Sequence, residues 1–239
     1  MSATRRLLSV ALAPLIFSLI GGIACYAAAG PSLGVFLGGL VIVTLLVPPL
    51  TLSERLSANR LMVLGAIILP LCAVWLLATL MSDPEQRPRF SEWFGTCAIL
   101  TAYVVALAGL SAIFCLTTRS AIPSAALTVI VGLTWLTWPI WASSTWSGGA
   151  SEAAVARGIA IHPGMAINGQ LSQPLGNWTE QSLAYHLTEL GQSVNFILPQ
   201  STWPCVVLHG LFGVVLLALT YWFERKSVAR HHALPSPAQ

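Results

Sequence analysis

Ser111 and His209 are the residues best placed by type to do chemistry. Ser111 stands in "GLSAIF", residues 109–114, and His209 opens "HGLFG", residues 209–213; both lie in long apolar runs. A serine hydroxyl beside an imidazole base is a nucleophile, and within a bilayer it would attack a peptide bond there. Such a pair needs hydroxyl and base within about 2.6–3.2 Å. Whether these two can meet depends on the depth at which their elements hold them.

Those elements are membrane helices. The chain has 239 residues, of which 56% are hydrophobic and 8% charged. A soluble domain carries about 25% charged residues, so this chain cannot coat a water-soluble particle. The fold class expected is all-α, a polytopic membrane protein forming one membrane domain over residues 1–239. A bilayer core of about 30 Å needs about 20 apolar helical residues. Six stretches meet or nearly meet that need: 7–29, 33–50, 61–82, 94–117, 122–146 and 203–223, of which 33–50 is short. The stretch 33–50 carries Gly34, Gly38 and Gly39 and ends at Pro48-Pro49, so a re-entrant hairpin is the alternative there. The first stretch follows Arg5-Arg6 and exceeds the about 7–15 residues of a signal-peptide core. It reads as a retained span, with cleavage after "AAA" as the alternative.

Arginines set the orientation. With the N-terminus cytoplasmic, Arg5, Arg6, Arg55, Arg60, Arg119, Arg225, Lys226 and Arg230 lie inside, and Arg87, Arg89 and Arg157 outside. Six spans then return the C-terminus to the cytoplasm. Trp93, Trp141, Trp146, Trp178 and Trp203 mark the outer surface, and Tyr221 and Trp222 the inner one. The expected location is the inner (plasma) membrane of a bacterium, with the lipid bilayer as the first partner. The basic residues form no nucleic-acid patch.

Depth separates the two chemical residues. Ser111 lies about 17 residues into its span from the outer end and His209 about six into its own, or ~26 Å and ~9 Å deep. The gap of ~17 Å exceeds what the usual ~20° tilt closes. Gly109, Ser111 and His209 resemble the dyad of a rhomboid-type protease, but that motif places Gly directly after the serine and Ala112 stands here. An intramembrane serine protease is thus the remote reading, and no catalytic residue is assigned. Ser111 is expected at a helix contact. His209 is expected as a neutral ring hydrogen-bonded to a neighbouring helix, with a role in a transport pathway as the alternative. Cys25, Cys72, Cys97, Cys115 and Cys205 read as packing residues, with a disulfide among Cys25, Cys97 and Cys205 as the alternative. No metal or cofactor is expected, since no Walker A, Rossmann or HExxH motif and no metal-ligand spacing occurs.

Two connections remain. The inner loop 51–60, "TLSERLSANR", reads as a one- to two-turn helix capped by Thr51 or Ser53 and carrying Glu54, Arg55 and Arg60. The outer loop 147–202 is the one long connection. In it "SEAAVARGIAI" reads as a short helix after Ser151, "HPGMAINGQLSQPLGN" as a Gly/Pro/Asn-rich turn region, and "WTEQSLAYHLTELG" as an amphipathic helix. Thr179 caps that last helix, and Leu183, Leu187 and Leu190 share one face.

Six spans, "SERLSANR" after the second, and "HPGMAINGQLSQPLGNWTEQSLAYHLTELGQSVNFILP" before the sixth resemble the membrane subunit of ABC-type exporters of the six-helix permease class. The resemblance implies a permease that works with a separate cytoplasmic ATPase, contacted through Ser53, Glu54, Arg55 and Arg60. It also implies two copies, in a homodimer or a hetero-oligomer, around a central path. An amphipathic substrate suits a chain without charges deep in its spans. A non-transporting membrane scaffold, assembled through faces such as Gly34-x-x-x-Gly38, is the alternative.

Overall fold

The computed structural model describes residues 3–30, 33–52, 57–85, 87–142, 151–171, 199 and 201–233. Among the described residues there are eight α-helices and no strands. They are α1 (Ala3–Ala29), α2 (Leu33–Leu52), α3 (Ser57–Met81), α4 (Phe90–Thr118), α5 (Ala121–Trp141), α6 (Glu152–Ile161), α7 (Pro163–Leu171) and α8 (Trp203–Ala233). Six of them, all but α6 and α7, are long and apolar enough to cross a membrane. The expected all-helical class is therefore present, with six candidate spans.

The stretch 33–50 is one continuous helix, which removes the hairpin alternative. Pro48-Pro49 stand near its C-terminal end, where the N–H donors they lack would have bonded the Thr44 and Leu45 carbonyls one turn back. Thr51 closes that end by donating to the Val47 carbonyl at 2.7 Å. The α4–α5 connection is short and tied to itself: Arg119 turns through φ 55° with its N–H on the Cys115 carbonyl, and the Thr118 and Ser124 hydroxyls meet at 2.7 Å.

α4 is the axis of the bundle. Its middle is buried on nearly every side, from Thr96 through Ala112, and it contacts α2, α3, α5, α7 and α8. α8 runs parallel to it: Gly95 lies against Thr202 just before α8, Gly210 faces Ala102, and Gly109 meets Gly213 and Leu216. A Cβ on Gly213 would sit 2.5 Å from the Val105 backbone, so two helix backbones touch there. This is the close approach that small residues permit between membrane helices. On the other side α1 packs on α2 and α3. Gly38 accommodates Cys25, and Gly39 accommodates Trp75, whose indole N–H reaches the Val35 carbonyl at 3.3 Å. All five cysteines are free thiols, so the disulfide alternative among Cys25, Cys97 and Cys205 is not formed. α1 and the outer face of α8 expose rows of large apolar side chains, such as Phe17, Ile20, Leu211 and Val214. Lipid covers such faces in a bilayer.

Two sequence expectations fail. The described part of 51–60 is no separate capped helix: Thr51 and Leu52 end α2, with the Thr51 hydroxyl turned back to Val47, and Ser57 through Arg60 begin α3. Within the turn region read from residue 162 onward, 163–171 is a buried helix, α7. Pro163 occupies the first helical position, where its missing N–H costs nothing. Met165, Ala166, Ile167 and Leu171 bury against α2 and α4, and burial outweighs the poor helix propensity of glycine and asparagine. α6 is as expected, with Ser151 accepting from the Ala154 N–H at 3.3 Å. The proposed amphipathic helix with Leu183, Leu187 and Leu190 lies outside the described residues.

Candidate functional site

Polar groups collect at two places, one toward each end of the bundle. At the first, α5 finishes, α8 begins and the α6–α7 elbow folds in. His209 is buried there. The Trp135 indole N–H donates to His209 Nε2 at 3.1 Å. An indole can only donate, so Nε2 accepts and Nδ1 carries the proton. Nδ1 lies 2.9 Å from the Cys205 carbonyl one turn back and donates to it. Tyr103 meets the same imidazole edge-on, with centroids 5.7 Å apart. Its hydroxyl stands 3.0 Å from Thr44 Oγ1 and 3.3 Å from the Gly132 carbonyl. One chain of contacts thus joins α2, α4, α5 and α8.

The sequence reading missed the second histidine of this cluster. His162, at the α6–α7 elbow, is 4% exposed. Its Nδ1 accepts the Met165 N–H at 3.1 Å, which caps the start of α7. Nε2 therefore carries the proton and donates to the Leu136 carbonyl at 3.1 Å. Burial pushes His162 down to about 4, and the Leu136 and Trp135 carbonyls pull the other way. Trp135 stands between the two imidazoles, with ring centroids 6.1 Å and 6.0 Å away. The signal available in sequence was the His-Pro pair opening a helix, which metal-ligand spacing does not detect.

Both rings are neutral, and all four ring nitrogens are engaged. The cluster is therefore a rigid polar pin with aromatic faces rather than a poised base. Those faces line two apolar spaces on either side of Trp135. One, of about 680 Å³, is bounded by Ile130, Trp135, Trp138, Trp141 and Ile161. The other, of about 340 Å³, is bounded by Tyr103, Leu107, Trp135, His209 and Phe212.

Ser111 is elsewhere. It is fully buried and donates to the Leu107 carbonyl at 2.7 Å. Because Gly109 faces Gly213, Ser111 lies level with α8 residues roughly two turns beyond His209, about 11 Å along the axis. The structure does not bring the two together.

The second place is the opposite end. Arg60, at the start of α3, pairs with Glu224 near the end of α8 at 3.7 Å. Ser53, Glu54 and Arg55 lie outside the described residues. Among the described residues no group of three His, Cys, Asp or Glu side chains could hold a metal ion. Comparison with protein-family models, with curated proteins and with solved structures found no match.

Proposed function

We propose that this chain is the membrane-spanning permease subunit of an ABC-type exporter, working with a separate cytoplasmic ATPase to move an amphipathic substrate. The Arg60–Glu224 contact carries the reading. It ties the start of α3, which follows the proposed ATPase-contact loop in the chain, to α8. α8 in turn is seated backbone to backbone on α4 at Gly213. A push on the loop would travel through these contacts along the bundle axis. The apolar, aromatic spaces beside Trp135 favour an amphipathic cargo over a small ion.

In this reading both termini are cytoplasmic, and two copies enclose the path. Orientation is tested with a membrane-impermeant thiol reagent on Glu85→Cys and Arg225→Cys, both at exposed positions. Only Glu85→Cys should react in sealed cells, and Arg225→Cys only after permeabilisation. Reaction of both from the same side overturns the six-span arrangement.

The ATPase is tested by co-purification from detergent-solubilised membranes of the host. A Walker A-bearing ATPase should follow the chain, and replacing Glu54 and Arg55 together by Ala should release it. Recovery of other membrane proteins alone overturns the permease reading and leaves the scaffold.

A further inference from the structure

Beside the Arg60–Glu224 pair an apolar chamber of about 370 Å³ opens between α2, α3, α4 and α8. Leu64, Ala108, Ala112 and Leu217 form its walls. Its two threonine hydroxyls are committed to their own helices: Thr51 donates to Val47 and Thr220 to the Leu216 carbonyl at 2.8 Å. The interior therefore offers a ligand no hydrogen bond. Leu61, Val214 and Tyr221, each more than half exposed, form its lips, so the chamber is open to the hydrocarbon of a bilayer.

The mouth has the opposite character. Arg60 stands at it with its side chain 19% exposed. Arg119, Arg225 and Lys226 belong to the same end of the bundle, and Glu224 is the single acidic residue facing them among the described residues. Lys226 is held over the Trp222 ring at 3.9 Å, at the level where indoles meet headgroups. A guanidinium beside an apolar well matches a phosphate ester carrying a hydrocarbon chain. Basic residues at a membrane surface favour anionic lipids in the same way.

We propose that this chamber holds one acyl chain of an anionic phospholipid whose headgroup lies against Arg60. The Glu224 carboxylate competes with the phosphate for the guanidinium. Occupancy would wedge α8 against the start of α3. The site requires only that the chain be in a bilayer and does not depend on an ATPase partner.

The test is native mass spectrometry of the detergent-purified full chain, titrated separately with phosphatidylglycerol and phosphatidylcholine. Wild type should retain one phosphatidylglycerol several-fold more strongly than phosphatidylcholine. Arg60→Gln should remove that preference. Ala218→Trp, which fills the chamber from its exposed edge, should reduce retention of both lipids. Glu224→Gln, at a half-exposed position that folding tolerates, should raise the preference for phosphatidylglycerol. An unchanged preference in Arg60→Gln, or full retention in Ala218→Trp, overturns the proposal. A fall in preference in Glu224→Gln overturns the competition at Arg60.

Discussion

Gly213→Ala should destabilise the chain severely, whereas Gly210→Ala, one turn away on the same helix, should be tolerated. The added Cβ at 213 would lie 2.5 Å from the Val105 carbon and oxygen and 2.6 Å from the Ala106 nitrogen. These are backbone atoms of α4, so no side chain can swing aside. Overpacking costs about 1–3 kcal/mol where side chains can adjust; a backbone-to-backbone clash belongs at or above the top of that range. Gly210 meets only the Ala102 Cβ at 3.9 Å, an ordinary contact. There the substitution gains helix propensity of about 0.5–1 kcal/mol. Thermal unfolding of the two variants in the same detergent checks this. Equal midpoints would mean that α4 and α8 do not touch at Gly213.

The second large effect is an acid-sensitive α6–α7 hairpin. His162 lies outside the spans, and burial holds its folded pKa at about 4, below the about 6.5 of an unfolded histidine. As pH falls, the open form takes up its proton first. The stabilisation is therefore complete above about pH 6.5 and is lost progressively down to about pH 4, where the folded form is protonated as well. The full difference is about 3 kcal/mol. Between about pH 7.5 and pH 5 the open population should rise roughly 30-fold. Protonation would also destroy the acceptor that caps Met165. Hydrogen exchange over residues 152–171, corrected for intrinsic rates, reads this directly. His162→Asn keeps a capping oxygen but does not titrate, so its exchange should lack the acid response. An identical response in both proteins would place the acid sensitivity elsewhere.

The six spans were legible because their signal is summed over some twenty residues each. The observed α3 and α4 differ from the expected 61–82 and 94–117 mainly at their ends. Those extra turns carry polar residues such as Arg60 and Glu92, which lie at the ends of the apolar runs and were left out of them. The α7 helix was not legible. Its nine residues include Gly164, Asn168 and Gly169, and only contact with α2 and α4 makes them helical. His209 was expected to bond a neighbouring helix, and a bond from Trp135 is present. Which helix, and which tautomer, no spacing could give.

By itself, the sequence determined a membrane-embedded chain of six apolar helices and a long connection before the last. Length and apolar content decide these, since a single apolar segment of about 20 residues satisfies its backbone in hydrocarbon only as a helix. Tertiary structure alone decided that α4 is the axis, that Gly213 is the contact where α8 meets it, and that His162 joins His209 around Trp135. It also paired Arg60 with Glu224 across the length of the chain. The physical reason is that lipid makes all apolar faces nearly equivalent. What distinguishes one face from another is how closely backbones approach and where each buried polar atom finds its partner.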